Sequence, residues 1–199
     1  MTTDLRSRVR AGDRAAFAEL FDTYARTVYN HGFRLTADWA LADDVVSATF
    51  LQAWRMRGRL DADGGSLRPW LLGIATNITR NLRRSDRRYR AAALACTGFD
   101  QVAPDHADTT DARLDDARRL AEAMAVLAAL PRADREAFTL CVWEQLDYES
   151  AARALGVPIG TVRSRLSRAR EKIRRELRGP DRPATDDRIS TTRPREGTR

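Results

Sequence analysis

A chain of 199 residues, 43% hydrophobic and 32% charged, holds one ordinary domain or two small ones and is too apolar to be wholly disordered. Its 35 basic and 28 acidic residues give a net charge of +7, and its longest apolar run, Ala123–Leu130, falls far short of the roughly 20 residues of a membrane-spanning helix. The opening Met1-Thr2-Thr3-Asp4-Leu5-Arg6 has no apolar core of signal-peptide type, so a soluble, cytoplasmic protein is expected.

Lys172 is the sole lysine. GC-rich codon use accounts for an arginine excess by itself. Phosphate and base-edge recognition, which suits the planar guanidinium fork, is the functional alternative that position has to decide. Cys96, Cys141, His31 and His106 form no metal-like spacing, and no Gly-rich phosphate loop or nucleophile elbow is present. The sequence therefore predicts no metal, no cofactor and no catalytic site.

In chain order, the apolar residues follow helical periods. Phe17, Leu20, Phe21, Tyr24 and Val28 make one stripe; Val46, Phe50, Ala53 and Trp54 make a second; Leu67, Trp70, Leu71, Ile74, Ile78 and Leu82 make a third. Each puts one face of an amphipathic helix into a shared core, which predicts three or four bundled helices between residues 10 and 90 and an all-α fold. Core packing is the favoured role for Trp70 and Ile74. Residues 80–90 contain six Arg and one Asp, a net +5. Beyond them the pattern fades into a linker over 91–117, in which Ala91–Cys96 extends the preceding helix. Residues 100–116 carry six Asp and one Arg, a net −5.

Periodicity returns at Leu120, Met124, Leu127 and Leu130, breaks at Pro131, and resumes to Leu177. Within this unit Asp147 is a suitable N-cap for a helix from Tyr148 to Leu155. Gly156 suits a left-handed helix end, and Val157-Pro158 opens a second helix running to Leu177. Val162, Leu166, Ala169, Ile173 and Leu177 form its inward stripe, while residues 160–178 carry a net +6. This is a helix-turn-helix with an arginine-rich second helix, whose first turns enter the major groove in such motifs. Thr161, Arg163, Ser164, Arg165, Ser167 and Arg168 are its candidates for bases and phosphates. The polar 179–199 tail, with three of the seven prolines, is expected to be disordered.

Two stretches carry a resemblance. Asp43-Asp44-Val45-Val46-Ser47-Ala48-Thr49-Phe50-Leu51-Gln52-Ala53-Trp54, followed by Arg68-Pro69-Trp70-Leu71-Leu72-Gly73-Ile74-Ala75-Thr76-Asn77, is one. Gly160-Thr161-Val162-Arg163-Ser164-Arg165-Leu166 with Ala169-Arg170 is the other. In this order and spacing they resemble the extracytoplasmic-function (ECF) class of bacterial RNA polymerase sigma factors, over residues 13–90 and 118–178. The resemblance implies two small helical domains joined by a flexible linker: region two over 1–90, an acidic linker over 91–117, region four over 118–178 and a tail over 179–199.

The resemblance further implies that the first domain binds the clamp helices of the largest polymerase subunit and melts the minus-ten element. The second domain would then hold the polymerase flap and read the minus-thirty-five element. Asn77, Arg80, Asn81, Arg83, Arg84, Arg87 and Arg88 become the minus-ten candidates, with a flipped base near the Asp61–Ser66 loop. Asp43, Asp44, Ser47, Gln52 and Arg55 become the polymerase candidates. Most members carry Gln and then an acid where this chain has Ser47 and Ala48. Core RNA polymerase, double- and single-stranded promoter DNA and an anti-sigma factor are the partners implied. A stand-alone helix-turn-helix regulator binding DNA as a dimer is the competing reading, and it leaves the first stretch unexplained. A metal-dependent nuclease would need clustered carboxylates, and the acids of 100–116 fall in the linker.

Overall fold

The computed structural model describes residues 2–61, 64–96 and 111–178, with side chains over 5–61, 64–85 and 119–176. Every regular element among them is helical: α1 (Thr2–Ala11), α2 (Arg14–Thr36), α3 (Trp39–Met56), α4 (Arg68–Cys96), α5 (Asp111–Ala128), α6 (Arg132–Phe138), α7 (Tyr148–Leu155) and α8 (Ile159–Arg178). A 3-10 turn at Arg57–Arg59 follows α3, and a π-helical turn at Thr139–Trp143 follows α6. The all-α expectation holds. Neither α1 nor the π-turn was expected from the apolar pattern. The 97–110 segment, the 179–199 tail, His106 and the side chains of Arg87, Arg88 and Leu177 lie outside the described residues. Helix enters the 91–117 segment from both sides, through Ala91–Cys96 and from Asp111, as its alanines and leucines favour.

Short polar side chains set the helix starts. Asp13 accepts from the Ala15 and Ala16 amides at 2.8 and 3.2 Å, opening α2. Asp38 accepts from Leu41 N at 3.0 Å, opening α3. Each satisfies amides that the first helical turn leaves unpaired.

α2, α3 and α4 pack around Leu20, Val28, Val45, Phe50, Leu71 and Ile74, with Trp70 at the margin. The three predicted stripes thus meet in one core, except that Phe21 is left 43% exposed at its edge; Phe17 sits edge-on to Phe50 and Trp54. A second core gathers Ala137, Leu140, Ala151, Leu155 and Val162 around Leu72. A third joins Met124, Leu127, Leu130 and Ala169, with Phe33 of α2 packed against it. α4 therefore works on two sides: Leu71 points into the first core and Leu72 into the second. The two halves of the chain are packed on each other.

Gly73 makes that approach possible. A Cβ there would stand 2.9 Å from Ala154 O and 3.1 Å from Ala154 Cα, against backbone that cannot swing aside. Gly73→Ala is expected to cost about 1–3 kcal/mol by overpacking, relieved by parting α4 from α7. Urea unfolding together with small-angle scattering would read both effects. An unchanged midpoint and radius of gyration would contradict the close approach.

Candidate nucleic-acid and polymerase interfaces

The helix-turn-helix forms as its sequence dictates. Asp147 accepts from Ser150 N at 2.7 Å and from Ser150 Oγ at 2.9 Å. The backbone and then the side-chain bond from Ser150 hold its carboxyl below the usual range. Gly156 adopts φ +66°, the left-handed conformation that glycine takes without a Cβ penalty. Val157 N then donates to Ala152 O at 3.1 Å, closing the turn. α8 buries Val162, Leu166 and Ala169. It exposes Arg163, Ser164, Ser167 and Arg168 and leaves Thr161 and Arg165 half-buried, so all six candidates cluster in its first three turns.

Arg163 lies over the Tyr148 ring at 5.7 Å, and both line an open cleft with Ser167, Arg170 and Arg174. Arg168 is engaged: its Nε and Nη2 donate to the Asp134 carboxylate at 3.2 and 2.9 Å. Those bonds raise its pKa further.

On α4, Asn77, Asn81 and Arg84 are exposed at i, i+4 and i+7, a single solvent-facing stripe. Arg80 and Arg83 turn aside from it. Arg83 Nη1 donates to Leu35 O at 2.6 Å. Arg80 makes a two-pronged pair with Glu136, Nε to Oε1 at 2.8 Å and Nη2 to Oε2 at 2.6 Å, and also donates to Asn77 Oδ1 at 2.9 Å. The Glu136 bond raises the Arg80 pKa against the opposing effect of burial.

On α3, Asp43, Asp44, Ser47 and Arg55 are exposed and Gln52 is half-buried. Asp44, Ser47 and Arg55 fall at i, i+3 and i+11, along one edge of the helix. Leu51, 52% exposed, completes that edge at i+7 and was not among the candidates. Its spacing from Asp44 was the available signal.

Arg6 was also missed. Only 5% exposed, it donates Nε to Gly65 O at 3.0 Å, Nη1 to Asp61 O at 3.0 Å and Nη2 to Ser66 O at 3.2 Å. One guanidinium thus ties α1 to the loop before α4. Burial draws its pKa below the usual value, against the attraction of Asp61. No local signal could have revealed contacts 55 to 60 residues apart.

A further pair of arginines binds the halves together. Glu144, 1% exposed, takes Arg34 Nη1 on Oε1 at 2.5 Å and Arg68 Nη2 on Oε2 at 2.6 Å. Arg68 Nη1 adds a bond to Glu144 O at 2.8 Å, and Arg34 also lies over the Trp143 ring at 5.0 Å. Cys141 is half-buried against the second core, and burial pushes its thiol pKa up, as befits a small packed hydrophobe. Among the described residues no group of His, Cys, Asp and Glu could hold a metal, and no helix is long and apolar enough to cross a membrane.

Comparison with known proteins fits this architecture. Residues 20–89 match the family model described as Sigma-70 region 2, and residues 120–173 match that of Sigma-70, region 4. The chain is 34% identical over 170 residues to the RNA polymerase sigma factor CarQ of Myxococcus xanthus, covering 85% of this chain and 94% of CarQ. It is 34% identical over 166 residues to the ECF RNA polymerase sigma factor SigE of Mycolicibacterium smegmatis, covering 82% of this chain but 63% of SigE. Among solved structures, CnrH in complex with the cytosolic domain of CnrY superposes with a TM-score of 0.68 at 24% identity, over 90% of this chain and 99% of that one. RpoE of Bartonella quintana, in complex with the anti-sigma factor NepR, superposes with a TM-score of 0.59 at 25% identity, over 83% and 98%. With regions two and four both matched in order, and CarQ matched along nearly its whole length, the chain belongs to the ECF class of RNA polymerase sigma factors, the family of promoter-specific transcription initiation.

Proposed function

We propose that this chain acts in the cytoplasm as a non-catalytic initiation factor that binds core RNA polymerase, opens the minus-ten element with α4 and reads the minus-thirty-five element with α8. The observation that carries the reading is the combination of an arginine-rich face on α8, an exposed Asn77–Asn81–Arg84 stripe on α4 and a separate exposed edge on α3. Asn77, Asn81 and Arg84 supply amide and guanidinium groups along one stripe, suited to the phosphates and exposed bases of a melted strand. Arg87 and Arg88 belong to the same basic run of sequence. Arg80 and Arg83 join them once released from Glu136 and Leu35. A base flipped out of the stack would be received near the loop that Arg6 ties down. Asp43, Asp44, Ser47, Leu51, Gln52 and Arg55 offer the polymerase clamp a mixed acidic and apolar edge. The acidic 100–116 stretch suits a path through a basic channel of polymerase. An anti-sigma factor, the kind of protein seated on RpoE in its complex with NepR, is the regulatory partner proposed.

Mixing the purified chain with core polymerase and a genomic promoter library tests the reading. Specific initiation from a subset of fragments is the expected result, and no specific start from any fragment would overturn it. Arg163→Ala is expected to cost about 1–3 kcal/mol of discrimination at one upstream base pair if its fork meets a guanine edge. Binding measured across a library of upstream sequences checks this. Equal loss on every sequence would assign Arg163 to phosphate instead.

A further inference from the structure

The carboxylates of α6 do something that their place in the sequence conceals. Asp134 and Glu136 are 5% and 3% exposed, far below what is usual for acidic side chains. Each holds a guanidinium drawn from a different DNA-reading set: Glu136 holds Arg80 of α4, and Asp134 holds Arg168 of α8. The geometry at Arg80 is the parallel two-bond fork that guanidinium also makes with phosphate. Arg80 cannot offer that fork to a DNA strand while Glu136 occupies it. The Arg80–Glu136 pair also spans the two halves of the chain, its arginine on the same helix as Leu72 of the second core and Gly73, which meets Ala154.

We propose that α6 is an internal substitute for the DNA backbone: in the closed chain Glu136 occupies Arg80 and keeps the free protein off DNA until the two halves part. The inference rests on the reading of Arg80 as a minus-ten contact. Opening exchanges a carboxylate for a phosphate at the same guanidinium, so the closed state suppresses binding without requiring any other protein. Asp134 imposes a weaker version of the same competition on Arg168. That pair lies within one half, and its arginine side chain is 60% exposed, so it yields without the halves separating.

The test uses the full chain without polymerase and a fluorescent 20-nucleotide single-stranded DNA of random sequence. Glu136→Gln is expected to tighten binding by about tenfold, within the usual range of coupling between a conformational equilibrium and a ligand. It should also steepen the salt dependence, because an additional arginine now displaces counterions. The gain should vanish in the Glu136→Gln, Arg80→Ala double variant. Small-angle scattering should show a larger radius of gyration for Glu136→Gln than for the parent. If Glu136→Gln does not fold, Gly73→Ala parts the halves at a different point and should raise DNA binding by the same route.

Unchanged affinity in whichever of these variants folds would overturn the proposal. The two readings fail separately. If Arg80→Ala weakens promoter melting by the polymerase-bound chain while Glu136→Gln leaves free-chain affinity unchanged, the DNA contact stands and the internal lock falls. If Glu136→Gln opens the chain while Arg80→Ala alters neither DNA measurement, the minus-ten assignment of Arg80 falls, and the lock at that residue falls with it.

Discussion

Glu144→Ala is expected to destabilise the chain by about 3–5 kcal/mol, because removing one side of a buried ion pair leaves its partners short of a counter-charge. Glu144 is 1% exposed, and its carboxylate answers two guanidinium groups from different helices, Arg34 of α2 and Arg68 of α4. Those arginine side chains are 30% and 35% exposed, so water reaches them once the carboxylate is gone. That places the expected loss at the lower end of the range. Glu144→Gln retains the side chain's shape and part of its hydrogen bonding, and should fall between the alanine variant and the parent. Both substitutions weaken the joint between the halves, so the urea midpoint should drop while the radius of gyration rises. A drop in midpoint with no change in shape would locate the role of Glu144 within the second half alone. No drop at all would mean that the two pairs return no more than the desolvation of the carboxylate costs.

The difference between what was legible in the sequence and what was not follows the range of the interactions. The helix-turn-helix could be placed to within a residue, because Asp147, Gly156 and the Val162–Leu166–Ala169 stripe act on their own neighbours. The three stripes of the first half worked for the same reason. α1 was missed because its apolar face is only Leu5 and Val9, too short to read as a stripe, and because Arg6, which also secures it, reaches the distant loop before α4. Asp134, Glu136 and Glu144 look like ordinary surface acids in sequence. Their hydrogen-bonded partners lie 34, 56, and 76 and 110 residues away, so only the packed chain reveals them. The same packing qualifies the +5 block of residues 80–90. Charge counting treats its arginines as equivalent, whereas Arg80 and Arg83 are bonded within the protein and Arg84 faces solvent.

The second large effect concerns pH and His31. This ring is fully buried, and Nε2 lies 2.9 Å from Thr76 Oγ1. The Thr76 hydroxyl already donates its hydrogen to Leu72 O at 2.8 Å, so its oxygen accepts and the His31 proton resides on Nε2. Nδ1 is then a bare acceptor with no hydrogen-bond partner. Protonating it would create a buried cation whose new N–H meets no acceptor. Burial first, and then the positive charges of Arg34 and Arg68, lower the His31 pKa to about 3 from 6.5. Between these values the unfolded chain binds a proton that the folded chain refuses.

The stabilisation is therefore complete above pH 6.5 and is lost as pH falls, at roughly 1.4 kcal/mol per unit, until the folded pKa is reached. Between pH 6.5 and pH 5 the expected loss is about 2 kcal/mol, before most carboxylates begin to titrate. Urea unfolding at pH 7, 6 and 5 should show this slope in the parent. His31→Gln can still donate to Thr76 but does not titrate, and it should flatten the slope in that window. His106 is the other histidine, and it is present in both proteins, so the difference between the two profiles isolates His31. Equal slopes would show that His31 accepts its proton in the folded chain as readily as in the unfolded one, contradicting both its burial and its bare Nδ1.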